Sequence, residues 1–132
     1  MTIHRWPIRV YYEDVDLAGI VYYANYLRYI ERARSELVRG LGIDQVAMRE
    51  DGLVFAVTHV DAAYLSPARY DDELVVETGI TARTAARCVM GQTVSRDGAS
   101  VFRADVTIVC MTLQGRPRRL PRALVDVSVT SI

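Results

Sequence analysis

The residues with the clearest capacity for chemistry lie in one short segment, Tyr11–Tyr26. Three acids, Glu13, Asp14 and Asp16, fall within four positions there, and a glycine turn at Gly19 follows them. The segment then enters a pattern typical of a helix, whose first N–H groups lack partners and carry the positive end of the helix dipole. A carboxylate that faces these N–H groups is well placed to take part in attack on a carbonyl. The acid acts as base or nucleophile, and the N–H groups stabilise the developing oxyanion.

The same acids also have a purely structural interpretation. Asp14 or Asp16 could cap the turn or the helix, as Asp commonly does. Asn25 could likewise be a polar residue that fixes the entry of the helix. Spacing alone does not separate these interpretations from the catalytic one.

A strand, a turn and a long helix are expected to position these residues. Alternation over Ile8–Asp16 predicts a strand, with Asp14 and Asp16 on its apolar side, where an unpaired carboxylate is costly. Apolar residues at three- and four-residue spacing over Ala24–Leu41 predict one helix of about five turns. A short second helix over Asp44–Arg49 is also predicted.

Strands dominate the second half of the chain. We predict them over Leu53–Leu65, Leu74–Arg83, Arg87–Ser95 and Val101–Leu113. The sequence Arg96-Asp97-Gly98 is a hairpin signal between the last two, because Gly accepts a positive φ. A strand, a long helix and then four strands in series predict the α+β class with an antiparallel sheet. One helix against one curled sheet is an economical way to bury both apolar faces.

The composition of the chain limits the classes of binding partner that the protein is expected to have. The chain has 132 residues, which suits one domain spanning 1–132. Sixteen basic residues, all Arg, balance sixteen acidic ones, so no net field draws the protein to nucleic acid or to a membrane surface. The amino terminus has no apolar signal-peptide region, and no apolar run approaches the roughly 20 residues that span a bilayer. We therefore expect a cytoplasmic protein with no nucleic-acid partner and no membrane insertion.

The cysteines and histidines do not follow a metal-binding pattern. Cys88 and Cys110 lie far apart in strand-like apolar segments, so we predict two reduced, buried packing residues. Two His and two separated Cys do not make an ordinary zinc site. The sequence has no phosphate-binding glycine loop and no G-x-S-x-G elbow. We expect no metal and no cofactor.

Two blocks of sequence carry a resemblance to a known family. The first block and the helix after it contribute Tyr12, Asp14, Asp16, Gly19, Val21, Tyr22, Asn25, Tyr26, Glu31 and Arg34. The second block runs from Tyr64 to Leu74. In both blocks the chain resembles the 4-hydroxybenzoyl-CoA thioesterase family, and particularly its Tol–Pal-associated acyl-CoA thioesterase branch. The resemblance covers nearly the whole chain and implies the hotdog fold, a curled antiparallel sheet wrapped around one long helix.

The resemblance also implies an activity, hydrolysis of an acyl-CoA, and roles for individual residues. Asp16 would be the catalytic carboxylate, the backbone N–H of Tyr23 would polarise the thioester carbonyl, and Asp14 would be structural. Substrate contacts would come from the matching positions Gly19, Val21, Tyr22 and Asn25. Homodimers, often paired into homotetramers, would hold the active sites between subunits. The Tol–Pal-associated branch usually has His where this chain has Tyr23, whereas the hydroxybenzoyl branch has an aromatic residue there.

Residues outside the two blocks are further candidates for substrate binding. Coenzyme A carries phosphates, which Arg forks suit well. Arg83 and Arg87 flank a predicted hairpin connection, and the cluster Arg116–Arg119 is an alternative, although exposed Arg is commonly just solvated surface. His59 could line the acyl pocket, although a core or interface histidine is the more common role of such a residue.

Two other classes of function fit the same fold. A hotdog hydratase or dehydratase typically uses a His or Glu placed on or near the helix, and the predicted long helix contains no His. A non-catalytic acyl-CoA or acyl-carrier-protein binder, or a scaffold partner of lipid enzymes, would not depend on a reactive Asp16. An Asp16→Asn variant separates these classes, because it removes hydrolysis while sparing ligand binding only in a thioesterase.

Overall fold

Six strands, one long helix and two short helices make up residues 3–132, the part of the chain that this computed structural model describes. Met1 and Thr2 lie outside the described residues. They belong to the amino-terminal stretch for which no signal peptide was predicted. The strands are β1 His4–Arg9, β2 Leu53–Tyr64, β3 Glu73–Arg83, β4 Arg87–Arg96, β5 Ala99–Thr112 and β6 Pro117–Arg118. The helices are α1 Asn25–Gly40, α2 Gln45–Glu50 and α3 Arg122–Val125, with a 3-10 turn over Tyr12–Asp14. None of the helices in this range has the length and apolar character needed to cross a membrane.

The strands form one antiparallel sheet in the order β1-β3-β4-β5-β2, with β6 paired to β5. The long helix and all four strands predicted after it are present, which confirms the α+β class. Positive φ angles at Asp97 and Gly98, 50° and 81°, give the predicted hairpin between β4 and β5 its tight turn. Strand β2 pairs with β5 rather than with β3, its neighbour in sequence.

The predicted first strand is wrong in extent. Strand β1 ends at Arg9, and the 3-10 turn over Tyr12–Asp14 replaces the strand that was expected to reach Asp16. The Asp14 carboxylate accepts the N–H of Tyr11 at 2.7 Å, which offers the backbone a local alternative to the strand ladder. The two aspartates therefore do not share an apolar strand face. Asp14 is buried, whereas Asp16 is half-buried in the loop that follows.

Buried polar contacts fasten the middle of α1 to the sheet. Gln92 of β4 donates from its side-chain amide to the Ile30 carbonyl at 2.9 Å. Its side-chain oxygen accepts from the guanidinium of buried Arg34 at 3.0 Å. Because buried polar groups are costly unless they are paired, these bonds favour one position of the helix on the sheet.

The two cysteines are packing residues, as predicted. Cys88 in β4 and Cys110 in β5 are both buried and both free. Burial raises the pKa of the Cys88 thiol to about 11 and raises the pKa of Cys110 as well. Both thiols therefore stay protonated near neutral pH and are poor nucleophiles.

Strand β2 forms an uncovered edge of the sheet. It pairs with β5 on one side, and no other strand of residues 3–132 pairs with its second side. Every residue from Val57 to Tyr64 is exposed. Val60 and Tyr64 are among them, although they pair with Val106 and Phe102, whose side chains are in the core. Long apolar edges are normally paired or covered, so this edge is suited to a partner strand.

Candidate active site

Asp14 braces the loop that leads from β1 to α1. One carboxylate oxygen accepts the N–H of Tyr11 at 2.7 Å, and the other accepts the side-chain amide of Asn25 at 2.8 Å. The carbonyl of Asp14 also accepts the N–H of Tyr22 at 2.9 Å. The hydroxyl of buried Tyr29 lies close to this carboxylate, and burial raises the pKa of that hydroxyl. With both oxygens engaged and its side chain buried, Asp14 holds the loop in shape.

We expect Asp14→Ala to destabilise the fold by about 2 kcal/mol, because it leaves the buried Asn25 amide and the Tyr11 N–H without a hydrogen-bond acceptor. Urea unfolding at equilibrium measures the loss. Glu13→Ala is the matched control, since Glu13 is the exposed neighbouring acid, and it should change stability by less than about 0.5 kcal/mol. Equal stabilities for the two variants would contradict the bracing role.

Asp16 differs from Asp14 in having one oxygen uncommitted. Its Oδ1 accepts the N–H of Ala18 at 2.9 Å, while its Oδ2 has no hydrogen-bond partner among residues 3–132. The turn that holds it is closed by two backbone bonds, from Gly19 N–H to the Asp16 carbonyl and from Asp16 N–H to the Ile20 carbonyl, each 2.9 Å. Gly19 has φ of 79°, a conformation that favours glycine. The carboxylate is therefore oriented by its own turn while one oxygen stays free.

Free backbone donors lie at the start of α1. Within the described residues, the N–H groups of Tyr23 and Ala24 make no hydrogen bond. The Tyr22–Tyr23 peptide group, which carries the Tyr23 N–H, is held in place because its carbonyl accepts the N–H of Asn25 at 2.8 Å. Unpaired N–H groups at a helix start carry partial positive charge and attract a developing oxyanion.

Two cavities border the segment that carries these donors. The first, of about 240 Å³, is lined by Glu13, Val15, Asp16, Tyr22, Ala24, Asn25 and Arg28. The second, of about 370 Å³, is lined by Ile20, Val21, Tyr23, Tyr26, Tyr64, Leu65, Ser66 and Pro67. One cavity thus contains the free carboxylate and the other is mainly aromatic and aliphatic. A ligand with a polar and an apolar part could occupy both.

The structure brings together the predicted residues of the first block. Gly19, Val21 and Tyr22 lie in the loop that carries Asp16, and Asn25 is the first residue of α1 directly after it. Two of them are occupied with the loop itself. The Val21 side chain is buried and its N–H donates to the Ala68 carbonyl at 2.8 Å. The Asn25 side-chain amide donates to Asp14.

The remaining predicted residues lie away from Asp16 within one chain. His59 is exposed on β2 and pairs with Thr107, on the face of the sheet opposite α1. Arg83 and Arg87 flank the β3–β4 connection at the far end of the sheet. Arg83 donates to the Val127 carbonyl, whereas Arg87 is exposed. Their roles in substrate binding stay predictions that depend on how two chains associate.

Arg28 was missed by sequence reasoning as a site residue. It lines the same cavity as Asp16. Its position three residues after Asn25 places both on one helix face, and that spacing is a signal that could have identified it. Arg28 adds an exposed cation to the mouth of the cavity.

Fold and site together define a hotdog-fold enzyme of the thioesterase class. The family model described as the thioesterase-like superfamily matches residues 10–127, and the chain belongs to this family. The match confirms the family resemblance inferred from the two sequence blocks.

Individual relatives agree with this assignment. The acyl-CoA thioester hydrolase YbgC of Escherichia coli is 39% identical over 126 residues, which cover 94% of each chain. The crystal structure of a probable thioesterase from Bartonella henselae is 34% identical, has a TM-score of 0.87, and covers 91% of this chain and 100% of that chain. An Asp-to-Asn mutant of 4-hydroxybenzoyl CoA thioesterase, complexed with 4-hydroxybenzoyl CoA, is 27% identical with a TM-score of 0.86 and covers 94% and 96% of the two chains. These similarities confirm the predicted hotdog fold.

Proposed function

We propose that this chain hydrolyses acyl-CoA thioesters to a free acid and coenzyme A, with Asp16 as the catalytic carboxylate. The observation that carries the proposal is the pairing of one uncommitted Asp16 oxygen with unpaired N–H groups at Tyr23 and Ala24, on the same loop. The similarity to an acyl-CoA thioester hydrolase along 94% of the chain supports the substrate class.

The reaction begins with the thioester carbonyl oxygen accepting the N–H of Tyr23. This bond stabilises the negative charge that develops on the oxygen, and one such donor is worth about 3 kcal/mol. Asp16 then either removes a proton from a water that attacks the carbonyl, or attacks the carbonyl itself to form an anhydride that water cleaves. In both routes the C–S bond breaks, and the thiolate of coenzyme A leaves and takes up a proton.

The two routes differ in where an oxygen atom from water first appears. In a single turnover in ¹⁸O-labelled water, direct attack transfers label into the Asp16 carboxylate whenever water opens the anhydride at the aspartyl carbonyl. General-base catalysis leaves Asp16 unlabelled and places all the label in the product acid. Label found in the Asp16 peptide by mass spectrometry therefore identifies direct attack by this residue.

The two cavities fit the two parts of the substrate. We place the acyl group in the apolar cavity beside Tyr23 and Tyr64, and the pantetheine side of the thioester in the cavity that holds Asp16 and Arg28. Tyr22 is exposed between them and is available for contact with the ligand. In this arrangement Val21 and Asn25 act by shaping the loop, and Gly19 by allowing its turn.

A homodimer across the free edge of β2 would complete the site. The carboxyl end of β2 lies beside the Asp16 loop, because the Tyr64 hydroxyl donates to the Tyr23 carbonyl at 2.9 Å. The amino end lies beside the β3–β4 connection, because Ala56 and Arg87 both pair with Val109 of β5. A twofold axis perpendicular to β2 makes the two β2 strands antiparallel. It therefore moves Arg87 of one subunit towards Asp16 of the other.

Arg83, Arg87 and His59 then gain a role that they lack within one chain. Arg83 and Arg87 would contact the phosphates of coenzyme A bound mainly to the other subunit. His59, near the middle of β2, would lie close to the twofold axis. Two such dimers could pair further into a tetramer.

The activity itself is tested with a panel of CoA thioesters, comprising short aliphatic, long aliphatic and 4-hydroxybenzoyl esters. We expect rapid thiol release from at least one of them, and the preferred ester identifies the acyl group. If the wild-type protein binds these esters but releases no thiol, the catalytic proposal fails. The chain would then be a binder of acyl-CoA or acyl-carrier protein.

A further inference from the structure

Tyr64 connects the end of β2 to the start of α1. Its hydroxyl donates to the Tyr23 carbonyl at 2.9 Å. Its ring packs edge-on against Tyr26 and Phe102, with centroids 5.7 Å and 5.1 Å away. Phe102 is fully buried and stacks on Tyr26 at 4.9 Å. The core therefore sets the position of the Tyr64 ring, and its hydroxyl is a fixed donor at the helix start.

The acceptor of this bond belongs to the backbone that carries the free N–H groups. The Tyr23 carbonyl shares a peptide plane with the N–H of Ala24, while the Tyr22 carbonyl shares one with the N–H of Tyr23. The first carbonyl accepts from Tyr64 and the second from the N–H of Asn25 at 2.8 Å. Both peptides around Tyr23 are thus held in place. A carbonyl that accepts a hydrogen bond also polarises the N–H of its own peptide and strengthens it as a donor.

We propose that Tyr64 is a positioning residue for the oxyanion-binding N–H groups at Tyr23 and Ala24. This inference rests on the proposed thioesterase function of the same site. The Tyr64 hydroxyl does not contact the reacting atoms; it acts through the Tyr23–Ala24 peptide. Donors held in place before the reaction stabilise a transition state better than donors that must reorganise. Partial desolvation raises the pKa of Tyr64, so the hydroxyl keeps its proton and remains a donor across the neutral range.

Tyr64→Phe tests this role because it removes the hydroxyl and keeps the ring that packs on Phe102. We expect kcat to fall about tenfold, with KM within about twofold of wild type and thermal stability nearly unchanged. Tyr70→Phe is the matched control. Tyr70 is an exposed tyrosine of the same sequence block, and its hydroxyl makes no hydrogen bond within the described part of the chain. Wild-type kcat in Tyr64→Phe, or a change confined to KM, overturns the proposal.

A second measurement does not require turnover. In ¹⁵N-labelled protein, Tyr64→Phe should lower the backbone order parameters of Tyr23 and Ala24 and speed exchange of their amide protons, while Tyr70→Phe should not. Unchanged amides in Tyr64→Phe overturn the positioning role whatever the kinetics show. If the amides loosen but the wild-type protein hydrolyses no thioester, the positioning of the peptide holds and the thioesterase function fails.

Discussion

Replacing Asp16 with Asn should leave a folded protein that binds CoA esters but releases thiol about 100-fold more slowly than wild type, or slower still. The substitution keeps the size of the side chain. It also keeps an oxygen that can accept the Ala18 N–H, which lies 2.9 Å from Oδ1 in the wild-type protein. It replaces the uncommitted oxygen with an amide group that neither accepts a proton nor attacks a carbonyl. Thiol release and calorimetric binding of the same ester, measured on one preparation, separate the loss of chemistry from a loss of affinity.

Asp51→Asn is the control for this experiment. Asp51 is an exposed acid at the end of α2, so the variant makes the same change of charge away from the site. We expect it to retain wild-type turnover. Full turnover by Asp16→Asn would remove Asp16 from the mechanism. Equal loss of turnover in both variants would attribute the effect to net charge rather than to the site.

The parts of the fold that could be predicted are those with a local signal. The period of α1 and the alternation of the later strands depend on neighbours in sequence, and so does the turn at Asp97 and Gly98. The catalytic candidate could also be predicted, because Asp16, Gly19 and the start of the helix are close together in sequence. Its chemistry could be proposed from spacing, although spacing alone favoured a capping role for Asp14 or Asp16.

The parts that could not be predicted depend on contacts between distant residues. Alternation placed Asp14 and Asp16 on one strand face, but the bond from Tyr11 to Asp14 makes a turn there and gives the two acids different surroundings. Nothing in the pattern indicates that β2 pairs with β5. That pairing places Tyr64 beside Tyr23, 41 positions away in sequence. Sequence reasoning considered Tyr64 as the first residue of the second block that resembles the family.

The proposed site between two subunits predicts that two defective subunits can restore one another's activity. Asp16→Asn removes the chemistry, and Arg87→Glu should raise KM about tenfold by repelling a phosphate of coenzyme A. Consider a mixed dimer of one Asp16→Asn subunit and one Arg87→Glu subunit. If each site combines Asp16 of one subunit with Arg87 of its partner, one site of this dimer carries both defects and the second site carries neither. Two different affinity tags on co-expressed chains allow this mixed dimer to be purified.

At substrate concentrations well below KM, the mixed dimer should show about half of the wild-type rate, because one of its two sites is intact. If each site lay within a single subunit, the Asp16→Asn subunit would be inactive and the Arg87→Glu subunit would work at about a tenth of its normal efficiency. The mixed dimer would then reach only about one twentieth of the wild-type rate. This roughly tenfold difference decides between a shared and a separate site. A protein that remains monomeric in light scattering would contradict the shared site directly.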